Sequence, residues 1–247
     1  MYKVLAHEKL IVYEKSLAFI KTIAPVIDAW PSKYAICDQM DRASESLIIN
    51  LVKAAGESHQ EQKVYYLECS IGSALECAAC LDIAYIKQLI DSETAKETKV
   101  ALQTIVRMEY GLRKSWFSSL HEETETYDAN PDIFFIHESL RVYQCALHVC
   151  QVLDTNVLAA TERWDRYTRR SDESITSLIL NIAEGNGRFS KLDHNKFIVI
   201  AEDAGIRLSA YFDLITASAS ANLSSIKTEL REVLAMIAGM KGYLTKT

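Results

Sequence analysis

An internal repeat constrains this chain more than any other feature of its sequence. The segment DRASESLIINLVKAAGE (Asp41 to Glu57) lies over DESITSLILNIAEGNGR (Asp172 to Arg188) at an offset of 131. That register pairs Asp41 with Asp172, Ser46 with Ser177, Leu47 with Leu178, Ile48 with Ile179, Asn50 with Asn181 and Gly56 with Gly187. The same offset pairs Tyr66 with Phe197, Leu81 with Phe212 and Asp82 with Asp213. Upstream, an offset of 130 pairs His7, Leu10, Tyr13 and Leu17 with His137, Leu140, Tyr143 and Leu147. One indel between helices reconciles the two offsets, and a chain written twice in this way is expected to build one supersecondary arrangement twice.

Each unit reads as four helices. Ala6, Leu10, Tyr13, Leu17 and Ile20 recur at helical steps, and the prolines at Pro25 and Pro31 predict that this helix stops before them. Leu47, Ile48, Leu51, Val52 and Ala55 form the apolar stripe of the second helix, closed by Gly56. Ile175, Leu178, Ile179, Ile182 and Ala183 form its twin, closed by Gly185 and Gly187. Long third helices run through Leu67 to Tyr85 and Ile198 to Ile215. The fourth helices start after the polar residues Ser92 and Asn222. Eight Gly and three Pro in 247 residues are too few for a sheet protein with tight turns. The expected fold is all-α: two tandem antiparallel up-down-up-down four-helix bundles, eight helices in all, at 1–116 and 133–247. The acidic stretch 117–132, which ends in Asn130-Pro131, links them.

The net charge is −6, with 14 basic against 19 acidic residues over 1–130 and 13 against 14 over 131–247. Charges punctuate the first 15 residues, so no secretion signal is expected. The most apolar stretch, Leu75 to Ile90, is broken by Glu76, Asp82 and Lys87, so no membrane span is expected. The six cysteines read as free thiols of a cytoplasmic protein. Cys77-Ala78-Ala79-Cys80 has redox or zinc spacing, but Cys77 aligns with the core position Leu208 and no second pair completes a metal set, so packing is the expected role. No histidine has a Glu three residues before it, which argues against a di-iron bundle. No cofactor, metal or catalytic residue is expected.

The run SLILNIAEGNGRFSKLDHNKF (Ser177 to Phe197) resembles the segment between helices two and three of the bacterial four-helix-bundle proteins first noted as products of intervening sequences in large-subunit rRNA genes. QMDRASESLIIN (Gln39 to Asn50) and GSALECAACLDI (Gly72 to Ile83) resemble that family's second and third helices. The resemblance implies a non-enzymatic binding or scaffolding protein. The family includes the accessory variability determinant of diversity-generating retroelements, a pentameric barrel that binds nucleic acid and engages a reverse transcriptase. It thus implies a homo-oligomer, a protein partner such as a reverse transcriptase, or both. Each unit keeps a different half of the pattern. The first has Lys53, Ala54, Glu57 and Ser58 where the second has Glu184, Gly185, Arg188 and Phe189, and the second has DAGIR (Asp203 to Arg207) in place of GSALE. This is what divergence after duplication leaves.

Among polar residues, Asn50 and Asn181 are expected to satisfy a helix end or a neighbouring helix, and Glu184 to pair with Arg188 four residues on. Arg163, Arg166, Arg169 and Arg170 fall at helical spacing before the second unit's second helix, with Arg188 and Lys191 at its other end. This basic patch is the candidate surface for a partner. The leading expectation is an oligomeric scaffold or adaptor that binds a protein; the alternative is an RNA- or DNA-binding module using that patch. Two units in equivalent ring positions require an even number of bundles, so a five-bundle barrel is not copied directly, and the two units are expected to pack side by side.

Overall fold

The computed structural model describes residues 4–117, 134–158, 165–219 and 223–245. Among these residues every element of regular secondary structure is helical. After a single 3-10 turn (His7–Lys9), the first bundle comprises α1 (Ile11–Asp28), α2 (Ala35–Gly56), α3 (Gln60–Ile86) and α4 (Ser92–Trp116). The second comprises a short α5 (Ile136–Ser139), α6 (Arg141–Leu153) running into a π-helical turn (Asp154–Leu158), α7 (Arg166–Gly185), α8 (Lys191–Ala219) and α9 (Ser224–Leu244). Helix α1 packs on α2 and α4, and α3 on α2 and α4. In the same way α6 packs on α7 and α9, and α8 on α7 and α9. The register of the sequence repeat survives in three dimensions: α6 starts 130 residues after α1, while α7 and α8 start 131 residues after α2 and α3.

The apolar stripes of the later helices point where the sequence places them, but α1 turns another face inward: Val12, Phe19 and Ile23 are buried, Leu10, Tyr13 and Ile20 are partly buried, Leu17 is exposed and Ala6 precedes the helix. Leu47, Leu51, Leu67, Ile71, Leu81, Leu102 and Ile105 are fully buried in the first bundle, and Ile175, Leu178, Ile179, Ile198, Leu208 and Val233 in the second. Both Cys77 and Cys80 are free and buried, and burial pushes their thiols well above the ordinary cysteine pKa, so the CxxC is core packing. Capping is local: Asp91 accepts the N–H of Thr94 at 2.7 Å, and Asp165 accepts those of Tyr167 and Thr168 at 2.9 and 2.8 Å.

Two further expectations need correction. Helix α1 does not stop before Pro25 but runs through it to Asp28, because Ile23 is buried beneath that turn and Val26 and Ile27 pack on the core beyond it. That packing offsets the one backbone hydrogen bond a proline forfeits. Helix α3, over Gln60–Ile86, is long and apolar enough by length and composition to cross a membrane, despite its charged interruptions; here 72% of that apolar window is buried inside the protein, the position of a core helix. The expected linker lies outside the described residues apart from Phe117, which is buried and caps the end of α4.

The first bundle also buries an acid. Ser70 Oγ hydrogen-bonds to the carbonyl of Leu47 (2.8 Å) and to the carboxyl of Glu109, which is completely buried. Burial raises the Glu109 pKa to about 8. The folded chain therefore holds a proton that the unfolded chain releases above about pH 4.3, so stability falls as pH rises from there to about 8. Replacing Glu109→Gln is expected to flatten that slope and to leave the variant more stable than the parent at pH 8, by on the order of 3 kcal/mol. Urea denaturation at pH 5 and pH 8 reads this directly; a parent protein equally stable at both values, or a variant with the same slope, contradicts it.

Candidate functional site: the joint between the bundles

The two bundles meet along one face of each. The second contributes α6 and α7, which pack on α3, and α7 also touches the start of α2. Three polar assemblies hold this joint together, each with side chains from both bundles.

At one end lies Lys87, just past α3, with its side chain wholly buried. Its ammonium donates to Asp172 Oδ1 of α7 at 2.8 Å and Asp154 Oδ1 of the π turn at 3.4 Å, and lies 4.7 Å from the centre of the Tyr34 ring. The second oxygen of Asp172 accepts the backbone N–H of Ala35, the first residue of α2, at 2.8 Å. A carboxylate of one bundle thus caps a helix of the other and neutralises a lysine there. Burial works against the charged lysine, but Cys150, Asp172 and Asp154 around it outweigh the burial and raise its pKa above the usual lysine value.

In the middle, Lys99 of α4 bridges Asp82 of α3 and Glu138 of α5, the latter at 2.8 Å. Tyr143 donates its hydroxyl to the other oxygen of Asp82 at 2.9 Å, and Glu138 Oε2 accepts the N–H of Phe134 at 2.8 Å. His137 is buried between the rings of Phe135 and Tyr143, and burial first, then the charge of Lys99, lowers its pKa to about 3, so it stays neutral. Asp82, His137 and Glu138 lie close enough to hold a metal ion. The Lys99 ammonium already occupies the place between the two carboxylates where a cation would sit, so this cluster is a neutralised ionic lock.

At the other end the backbones nearly touch. A Cβ on Gly187 would lie 3.2 Å from Gly72 Cα and 3.0 Å from a methyl of Leu75, and a Cβ on Gly72 would lie 3.1 Å from Glu184 Cγ. Glu184 pairs with Arg188 at 2.7 Å, as the sequence predicts, but not as a surface contact: the arginine side chain is 9% exposed and also donates to Cys69 Sγ at 3.3 Å. Burial, with a further push from Glu184, raises the pKa of Glu76 on α3 to about 8, while Arg42 and Arg188 pull the other way. Phe189 extends the contact, with the Arg113 guanidinium 3.6 Å above its ring and Tyr110 edge-on at 5.6 Å.

The structure therefore divides the residues singled out from sequence. Glu184, Gly185, Gly187 and Arg188 belong to the second bundle's contact layer; Gly185 lets α7 approach His194 and Phe197 of α8, and the others lie in the joint. Asn50 Nδ2 reaches Ser46 Oγ at 2.9 Å, which in turn accepts from Ser73 Oγ at 2.8 Å, so it serves a neighbouring helix. Asn181 bonds back to the Ser177 carbonyl within α7 at 2.7 Å. The six-residue basic patch is not one surface. Arg166, Arg169 and Arg170 are exposed in the first turns of α7 rather than before it, where Arg170 pairs with Glu173 at 2.9 Å. Arg188 is buried in the joint, and Lys191 lies beside the Tyr243 ring. Arg163 lies outside the described residues. Sequence reasoning missed Lys87, Asp154 and Lys99. The available signal was the complementarity of the two motif halves, since GSALE in one unit faces EGNGR in the other.

Fold and joint together define an all-α protein of paired four-helix bundles. Residues 8–111, which make up most of the first bundle, match the family described as the 23S rRNA-intervening sequence protein. The match covers the first bundle, although the most specific resemblance in the sequence lies in the second. No curated protein and no solved structure matches the chain.

Removing the Lys87 charge leaves two carboxylates of the joint without their cation. Lys87→Ala is expected to destabilise the chain by about 3–5 kcal/mol in urea denaturation, whereas Arg170→Ala, which touches only an exposed pair, shifts it by less than about 1 kcal/mol. Equal effects from the two would contradict the account.

Proposed function

We propose that the chain is a non-enzymatic helical scaffold of the cytoplasm, an adaptor that presents a rigid two-bundle surface to a protein partner. The two bundles are read as products of a tandem duplication. The observation that carries the proposal is the placement of Glu184 to Arg188. The stretch that gives the family resemblance is not turned toward a ligand cavity but is consumed in holding one bundle to the other. The buried ionisable groups of the joint, Lys87, Lys99, Asp172 and Glu138, are likewise paired across it. Polar chemistry spent on fixing geometry suits a platform.

Nucleic-acid binding is the second reading, favoured by one observation: Arg166, Arg169 and Arg170 line a groove of about 280 Å³ at the start of α7, exposed and adjacent. Glu173 in the same groove and the acidic balance of the chain weigh against it.

Affinity capture of the tagged chain from its own cells, followed by light-scattering mass at low and moderate salt, separates the two. The scaffold reading expects a protein partner held in fixed stoichiometry and no mass shift with a mixed pool of single-stranded and duplex oligonucleotides. A shift with oligonucleotide that salt removes, and whose log–log salt slope drops by about two in an Arg169→Ala, Arg170→Ala variant, would replace it with the nucleic-acid reading.

A further inference from the structure

The central lock holds one group that ion pairing does not account for. His137 is completely buried, with the near-parallel ring of Phe135 at 5.7 Å on one side and the edge-on ring of Tyr143 at 4.7 Å on the other. Neither of its ring nitrogens has a hydrogen-bond partner among the described residues. Buried polar atoms nearly always find a partner, because one left unpaired has lost its hydration with no return. A His137 nitrogen lies within 4.8 Å of a carboxylate oxygen of Asp82 and of one of Glu138. Burial keeps the ring neutral at ordinary pH, so one nitrogen carries a free lone pair and no proton has to leave before it binds a cation.

The two carboxylates are arranged as metal ligands are. Each turns one oxygen inward, Asp82 Oδ1 and Glu138 Oε1, and both of these meet the Lys99 ammonium. Each has its outer oxygen held: Tyr143 donates its hydroxyl to Asp82 Oδ2 at 2.9 Å, and the Phe134 N–H donates to Glu138 Oε2 at 2.8 Å. Pinning the outer oxygen aims the inner one, which is how the surroundings of a metal orient its carboxylate ligands. One imidazole nitrogen with two carboxylate oxygens is a donor set suited to zinc and the neighbouring divalent transition metals.

Lys99 stands in this set as a removable cation. It cancels one of the two carboxylate charges, where a divalent ion cancels both. Burial works against its own charge, although Asp82 and Glu138 raise its pKa overall, so release to water restores the hydration that the ammonium gave up. The other lysine of the joint, Lys87, has a wholly buried side chain. Lys99 instead keeps one edge on a cavity of about 580 Å³, which Asp82 and Phe134 also line and which the exposed Ser92 and Lys96 border. That cavity gives an ion a way in and the ammonium a place to go.

We propose that the lock is a metal-exchange site, in which a divalent transition-metal ion of the zinc type displaces Lys99 and is held by Asp82 of the first bundle and His137 and Glu138 of the second. Metal–ligand bonds of about 2.0–2.2 Å require the three donors to draw in to about 3–3.5 Å of one another. The contraction pulls α5 onto α3, so the ion staples the two bundles together and its binding free energy adds to the stability of the joint. The site rests on side-chain geometry and stands whether or not the chain serves a protein partner.

Cobalt(II) titration of the full chain, followed by competition with zinc, tests this. Cobalt reports its own ligands: d–d bands without a thiolate-to-cobalt charge-transfer band are expected, since the donor set contains no sulfur. One ion per chain, displacement by zinc and a higher Tm in zinc are expected with them. His137→Gln is expected to lower the affinity at least tenfold. Lys99→Met, which removes the competing cation, is expected to raise it at least tenfold and to gain more in Tm from zinc than the parent does. Should His137→Gln fail to fold by circular dichroism, the parent spectrum and the Lys99→Met gain decide the outcome. A parent chain that takes up no cobalt, uptake marked by thiolate bands, or an affinity left unchanged by either substitution in folded protein overturns the inference.

Discussion

A lysine withdrawn entirely from water holds the two halves of this chain in one geometry. Lys87 cannot keep its charge in that position without Asp172, and Asp172 cannot be buried without Lys87 and the amide of Ala35. The requirement is mutual and spans α2, α3 and α7, so each bundle completes the other. The Asp82, Lys99 and Glu138 lock and the Glu184–Arg188 layer add two further points along the same face. Three separated attachments restrain rotation as well as distance, the arrangement of an internal wall and not of a hinge between beads.

Most of the fold was legible because the repeat and the helical periodicity agree. Gln60 and Lys191 open α3 and α8 at the offset that Asn50 and Asn181 already announce. What was misread follows from treating local rules as final. Pro25 reads as a stop, yet the apolar side chains on either side of it have a core to reach, and tertiary packing outweighs one lost hydrogen bond. The basic patch was assembled from arginines at both ends of one helix. Arg166 and Arg188 are 22 positions apart, roughly 33 Å along a helix at its usual rise, and the second turned inward to meet Glu184. The joint itself was invisible as a list of residues, because Lys87 and Asp172 are ordinary charged residues until a second bundle removes their water.

The asymmetry of the joint matches the unequal halves of the sequence repeat. A motif that packs head to tail needs its two halves on different units, one presenting GSALE and the other EGNGR. The first unit carries the receiving half and the second the inserting half, while the equivalent positions that do not meet hold Lys53 and Glu57 in the first unit and Asp203 and Arg207 in the second.

The cysteines give the protein an internal witness to its own opening. Cys77 and Cys80 lie in the core of the first bundle, while Cys150 lies against the Lys87 cluster, where burial pushes its thiol up to about 12. None of the three is exposed, and each becomes chemically visible only when its own surroundings part. Once the partly exposed Cys37, Cys69 and Cys145 have reacted, a thiol reagent therefore distinguishes separation of the bundles from melting of a bundle by which of the three buried thiols it finds first, with no label added to the chain.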